Sequence, residues 1–144
     1  MPKKKIKFDL SPKIYREILS GILLDHIYLF SLKVDFNDSL KPDGIELKIK
    51  EKPSYILEEN NLLITYEYEL QGISTNDKIR FFKIKSIFKI IYSVENPSDI
   101  NDEFFEIFSH FTLEMLMWPY FRELVQNITS RMSIPPLTLP MKRK

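Results

Sequence analysis

The sequence predicts an α+β fold, a four-stranded antiparallel sheet with α-helices packed on one face. Three observations carry this. Between residues 26 and 95 apolar and polar residues alternate in four segments joined by short polar turns, which is the period of strands and the connection of antiparallel neighbours. From residue 101 to 132 the apolar residues recur at helical spacing instead. Alanine is absent and isoleucine abundant, and a stiff β-branched side chain suits a pleated surface.

The 144 residues, 44% hydrophobic and 28% charged, read as one folded domain over 1–144. A basic tail covers residues 1–8. A short helix is predicted over 11–24, with Ser11 as N-cap, Pro12 in the first turn, and Ile14, Ile18 and Ile22 on one face. The first strand spans 26–36, with His26, Tyr28, Phe30, Leu32, Val34 and Phe36 on one side and Ile27, Leu29, Ser31, Lys33 and Asp35 on the other. After turn residues 37–44, the second strand runs from 45 to 51 with Ile45, Leu47 and Ile49 inward, and Pro53 ends or edges it. Asn60-Asn61 makes a turn, and the third strand covers 62–70. Residues 72–77 form a loop, and the fourth strand covers 79–95. Short loops imply that neighbours pair antiparallel. The 101–132 segment is two helices or one kinked helix, the break falling near Trp118-Pro119, because proline clashes with the preceding turn. Residues 133–144 form an extended tail, since Pro135, Pro136 and Pro140 forbid a helix.

Composition excludes much chemistry. With no cysteine there is no disulfide framework, thiolate metal site or cysteine nucleophile, and three glycines leave no glycine-rich phosphate loop. His110 with Glu106 and Glu114 shares a helix face, which reads as charge pairing before it reads as a metal site. Glu58-Glu59 and His26 form no catalytic set, so the chain is not expected to be an enzyme. Of the 21 basic residues, Lys3, Lys4, Lys5, Lys7, Lys142, Arg143 and Lys144 lie at the ends, leaving 14 basic against 20 acidic groups, net −6, in residues 8–140. Such a body does not suit nucleic acid. No apolar run reaches the ~18 residues of a membrane span. The chain reads as cytoplasmic, without stable membrane insertion.

Apolar surface is in excess. Phe108, Phe111, Trp118, Tyr120, Phe121 and Leu124 fall on most sides of the C-terminal helical segment, more than one sheet can cover. They are assigned to core or oligomer packing, in a homo-oligomer or against an apolar partner.

The C-terminal residues carry a specific pattern: Trp118-Pro119-Tyr120, Arg122-Glu123, Ser130-Arg131, then Pro135, Leu137 and Leu139. It resembles the C-terminal signature of the SecB family of export chaperones, which includes the SecB-like chaperones of toxin–antitoxin systems. The resemblance implies a SecB-like fold and protomers paired through sheet edges into a homotetramer, a dimer of dimers. It also implies an ATP-independent holdase that keeps unfolded polypeptide clients in apolar grooves for protein export and translocation, often through SecA, with no metal, nucleotide or other cofactor. The client-groove candidates are Ile45, Leu47, Tyr55, Ile56, Leu57, Tyr66, Tyr68 and Phe105. Tyr55-Ile56-Leu57 is an apolar triplet in the connection after the second strand. Arg122 with Glu123 reads as a structural ion pair. The export branch presents carboxylates to SecA, where the fourth strand here has Lys83, Lys85 and Lys89. An antitoxin client and a plain oligomeric adaptor therefore stand as alternatives.

Overall fold

The computed structural model describes residues 10–141, so the basic ends, Lys3 to Lys7 and Lys142 to Lys144, lie outside the described residues. Helix α1 spans Pro12–Ser20; the Ser11 hydroxyl accepts from Ile14 N at 3.2 Å and caps it. The helix stops at Gly21, whose N–H returns to Ile18 O and whose carbonyl accepts from Glu95 N at 2.8 Å. That bond brings the next residues beside the end of the fourth strand, so residues 22–24 extend the first strand and not the helix.

Strands β1 (Ile22–Phe36), β2 (Ile45–Glu58), β3 (Asn61–Ser74) and β4 (Arg80–Val94) form one sheet in the order β1-β4-β3-β2, antiparallel throughout. The expectation that sequence neighbours pair fails at β1, which lies against β4. The connection to β2 crosses the end of β4 and β3, about 14 Å at ordinary strand spacing, within reach of residues 37–44. β2 is longer than expected and runs through Pro53; an outer strand tolerates a proline because one side of its backbone needs no partner. Tyr55-Ile56-Leu57 is therefore strand and not loop. The hairpin turn is Glu59-Asn60, one residue before the expected one, and Asn60 is held by Val94 N donating to its carbonyl at 2.8 Å.

Two bulges correct the face assignment of β1. Register shifts between Leu24 and His26 and between Leu29 and Ser31 each invert the alternation. Ile27 and Leu29 thus share a side with Leu32, Val34 and Phe36, while His26 and Tyr28 face Ile91 and Lys89 on the other. β3 does not end at Leu70 as expected but runs through Gly72 to Ser74. Gly72 pairs with Phe82, whose ring would lie 2.3 Å from an added Cβ, so glycine is the residue that leaves room for that ring. Beyond it a shift lets both Phe81 and Phe82 be buried.

Asn101 caps α2 (Asp102–Phe108), accepting from Phe104 N at 2.8 Å. A π-helical turn, Ser109–Leu113, leads into α3 (Glu114–Ser130). The irregularity falls in this turn, N-terminal to the expected Trp118-Pro119 break, and Pro119 sits inside α3. The residue that the Pro119 ring crowds, four positions back, is Met115, which lies in α3 just after the π turn. Leu62, Ile64, Tyr68 and Leu70 of β3 and Ile84, Phe88 and Ile90 of β4 form a core with Phe104, Phe108, Met117, Phe121 and Val125 of the helices. Tyr68 and Phe121 stack at 4.2 Å and 6° at its centre. The helices cover one side of the sheet; α1 joins them through Tyr15, whose ring lies 5.6 Å from Phe104.

Candidate functional site

β2 is outermost, so its helix-side residues lie at the margin of the helical cover. Ile45, Leu47, Ile49, Glu51, Pro53, Tyr55 and Leu57 follow one another there, and none is buried. They form the floor of a groove with three parts.

At the start of β2, Ile45 and Leu47 join Pro42, Phe81, Phe82, Ile134, Pro135 and Leu137 around a mainly apolar cavity of about 330 Å³. That is the lower end of the size range of ligand pockets. The far wall is the extended C-terminal segment, which three bonds tie to α3. Trp118 Nε1 donates to Pro140 O at 2.7 Å, Arg122 Nε donates to Leu139 O at 2.6 Å, and Leu137 N donates to Thr129 Oγ1 at 2.8 Å. Pro135 and Leu137 of the C-terminal pattern thus line the cavity, and Trp118 and Arg122 hold the segment that carries them. The expected Arg122–Glu123 ion pair is absent among the described residues, since adjacent helical residues point in different directions.

In the middle of the groove stands the exposed Glu51, bordered by the buried Tyr66 and Tyr68. The Tyr66 hydroxyl donates to Glu51 Oε1 at 3.4 Å, and the Tyr66 and Tyr68 rings lie 4.8 Å apart. Burial pushes both phenols up. After burial, the Glu51 carboxylate is the next cause of the rise at Tyr66, and the Tyr66 phenol the next at Tyr68. At the far end, the Tyr55 ring packs on Phe105 at 4.4 Å and its hydroxyl donates to Asp102 Oδ1 at 2.7 Å. Burial, then the hydrogen bond to Asp102 and its charge, push Tyr55 up to about 12.

The structure brings Ile45, Leu47, Tyr55 and Leu57 onto one surface, with Phe105 beneath Tyr55. It separates the others. Tyr66 and Tyr68 are core, covered by the helices, and Ile56 points to the opposite side of the sheet, so it cannot line this groove. Sequence reasoning passed over Ile49, Phe81, Phe82 and Ile134. The Ile45-Leu47-Ile49 alternation pointed to Ile49; no local signal pointed to the bulge that turns Phe81 inward.

Of the residues assigned to packing, Phe108, Trp118 and Phe121 are buried and Leu124 is partly so. Phe111, Tyr120 and Met115 are exposed, the Tyr120 ring lying edge-on to Phe88 of β4 at 6.4 Å. β1 is the least covered element. Leu23 (68%) and Phe30 (61%) stand out on the open sheet side, and Leu24, Leu29, Leu32 and Val34 are exposed on the other. His110 Nδ1 lies 3.9 Å from Glu114 Oε2. Among the described residues no group of three acidic or histidine side chains could hold a metal ion, and no helix is long and apolar enough to cross a membrane.

No protein-family model matches this chain, and no curated protein matches it. Solved structures do. The chain is similar to the SecB-like chaperone Rv1957 of Mycobacterium tuberculosis, solved with a ChAD peptide from the HigA1 antitoxin. The TM-score is 0.80 at 16% identity, covering 92% of this chain and 98% of that one. A Streptococcus agalactiae protein of unknown function matches at TM-score 0.36 and 14% identity, covering 83% of this chain and 97% of that one. The match to Rv1957 at TM-score 0.80 runs over 92% of this chain, so the four-stranded antiparallel sheet with helices on one side is the SecB-like fold.

Proposed function

We propose that this chain is a polypeptide-binding chaperone that works without ATP, and not an enzyme. The observation that carries the reading is the uncovered apolar row Ile45, Leu47, Ile49, Tyr55 and Leu57, continuous with the cavity walled by the C-terminal segment. An extended segment laid along it buries its own apolar side chains and leaves its backbone near the sheet edge. At ~25 cal/mol per Å², a few hundred Å² of apolar contact gives several kcal/mol before ordering costs, so one groove binds weakly. Several grooves on one assembly engaging one chain bind tightly through effective concentration. The assembly is a homo-oligomer, up to a tetramer, joined through β1, whose exposed apolar residues on both sides call for a second copy. Folded proteins, with their apolar residues hidden, are not bound.

A dedicated client is the second reading. It is favoured by the antitoxin peptide bound to the fold neighbour. Lysines where the export branch carries carboxylates count against delivery to SecA. The test is suppression of aggregation, without ATP, of two unrelated denatured proteins, with the mass of the assembly measured alongside. Dose-dependent suppression of both supports the general holdase. No suppression at several-fold excess removes it and leaves the dedicated client, an antitoxin first.

A further inference from the structure

The outer strand β2 presents three features together: a backbone edge with no strand paired to it among the described residues, an apolar row and a row of lysines. In an antiparallel ladder alternate residues turn their N–H and C=O to opposite sides. Gly44 O accepts from Thr75 N at 3.0 Å, so Gly44 faces β3. The register from Ile45 to Glu58 runs without a shift, so Lys48, Lys50 and Lys52 also face β3 with their backbones, and Ile45, Leu47 and Ile49 turn theirs outward. Pro53 falls at an outward position, where its missing N–H costs no ladder bond.

Side chains alternate with the same period. Ile45, Leu47 and Ile49 line the groove, and Lys48, Lys50 and Lys52 stand in a row on the open side, all three exposed. Their neighbours on β3 are Gln71, Glu69 and Glu67, and Glu69 is engaged by Lys83 at 2.9 Å. Further in, Lys33 lies directly opposite Lys85, whose neighbour on the other side is Glu69, the carboxylate that Lys50 also faces. Positive charge is thus gathered on this side of a body whose net charge over residues 8–140 is −6.

We propose that β2 accepts, as an added outer strand, an extended polypeptide in which Asp or Glu alternates with large apolar residues. This rests on the groove being a polypeptide site and names the chemistry it selects. The guest backbone bonds to the outward groups of Ile45, Leu47 and Ile49. Its apolar side chains fall on the helix side, toward the cavity, and its carboxylates stand beside Lys48, Lys50 and Lys52. The same row excludes a second copy of β2, which would set lysine against lysine. A polypeptide fits better than a nucleic acid: Glu46, Glu67 and Glu69 share the lysine side, and a phosphate backbone uses neither the strand edge nor the apolar row.

The test uses three peptides of one strand length with the same apolar residues and Glu, Ser or Lys at the alternate positions. Their affinity for the full chain is measured by fluorescence anisotropy at low and high salt. Three exposed charge pairs predict the Glu peptide binding about tenfold tighter than the Ser peptide, with the Lys peptide weakest and the spread shrinking in high salt. In K48S/K50S/K52S, whose altered side chains are all exposed, the Glu advantage disappears while the Ser peptide keeps its affinity. Ile49→Pro, which removes an outward N–H, weakens all three. Equal binding of the three peptides, a preference for Lys, or a Glu preference that survives in the triple variant overturns the charge selection and leaves the groove reading standing. Displacement of the Glu peptide by single-stranded RNA of matched charge overturns the polypeptide assignment. No binding of any peptide overturns both.

Discussion

Replacing Thr129 by valine tests whether the C-terminal segment is held as its bonds indicate. The Thr129 hydroxyl is fully buried. It donates to Val125 O at 2.8 Å and accepts from Leu137 N at 2.8 Å. Valine keeps the shape and removes both bonds. Val125 O keeps its place in the helix, so that loss is small. The partly buried Leu137 N–H is left without an acceptor, which costs about 1–3 kcal/mol at full burial and less here. The buried methyl that replaces the hydroxyl returns under about 1 kcal/mol. The net loss is about 1 kcal/mol, which for a chain of this length lowers the Tm by about 3 °C. Thermal and urea unfolding at fixed protein concentration measure it, and amide exchange at Leu137 localises it. Thr129→Ser keeps both bonds and gives up only a methyl, about 1 kcal/mol. If Leu137 exchanges no faster in the valine variant than in the serine variant, the strap is not held by this hydroxyl.

Gly72→Ala places a Cβ against the Phe82 ring at 2.3 Å; overpacking costs about 2 kcal/mol in urea unfolding, and the loss shrinks when Phe82 is leucine, since contacting sites are not additive. Glu59 holds a φ of 56° in the β2–β3 turn, and Glu59→Gly raises the unfolding midpoint by about 0.5–1 kcal/mol equivalent. Tyr15, Tyr55, Tyr66, Tyr68 and Tyr92 are all raised from 10.0, chiefly by burial, Tyr55 and Tyr92 to about 12. Their contribution to stability is whole below the unfolded value and is lost as pH rises from 10 through about 12. Tyrosinate absorbance should therefore rise together with loss of circular dichroism; tyrosines that ionise freely near their ordinary value in the folded chain contradict the burial. Phe30→Glu with Leu23→Glu lowers the assembly's mass by light scattering and leaves peptide binding at β2 in place; an unchanged mass moves the subunit contact away from β1.

The local features of the fold were legible because each rests on chemistry within a few residues. Ser11 and Asn101 cap helices because their side chains reach an N–H three residues on. Ile45, Leu47 and Ile49 announce a half-covered strand by period alone. The features that were not legible depend on partners far along the chain. One extra residue at each β1 bulge inverts every side chain beyond it, and alternation in β1 looks equally regular in either phase. The choice of β4 over β2 as the neighbour of β1 is decided by the whole sheet. Trp118 and Arg122 stand out in the sequence, yet their acceptors are the carbonyls of Pro140 and Leu139. A carbonyl is the same at every residue, so no side-chain pattern could name it. The groove was half visible for the same reason. Its β2 wall is a local pattern, and its far wall is a segment brought back by those carbonyls.

The two edges of the sheet differ in a way that bears on how such a molecule can both assemble and bind. β1 carries exposed apolar residues on both sides, Leu23, Tyr28 and Phe30 on the open side and Leu24, Leu29, Leu32 and Val34 on the other. Lys33 and Asp35 are confined to the far end of the open side. β2 is apolar on one side and lined by lysines on the other. A free strand edge does not discriminate between partners by its backbone, because every chain carries the same N–H and C=O groups. Discrimination has to come from the side chains flanking the edge. At β1 they favour any apolar surface, and a second β1 is the one always present at the protein's own concentration. At β2 the lysine row disfavours a copy of itself, while the apolar row remains available to a strand of the opposite charge. Three strand spacings separate the edges, about 14 Å, so a subunit contact at one leaves the other open. Under the proposed reading the sheet keeps its client edge free because self-pairing is directed to the opposite side, and the lysines of β2 enforce that division.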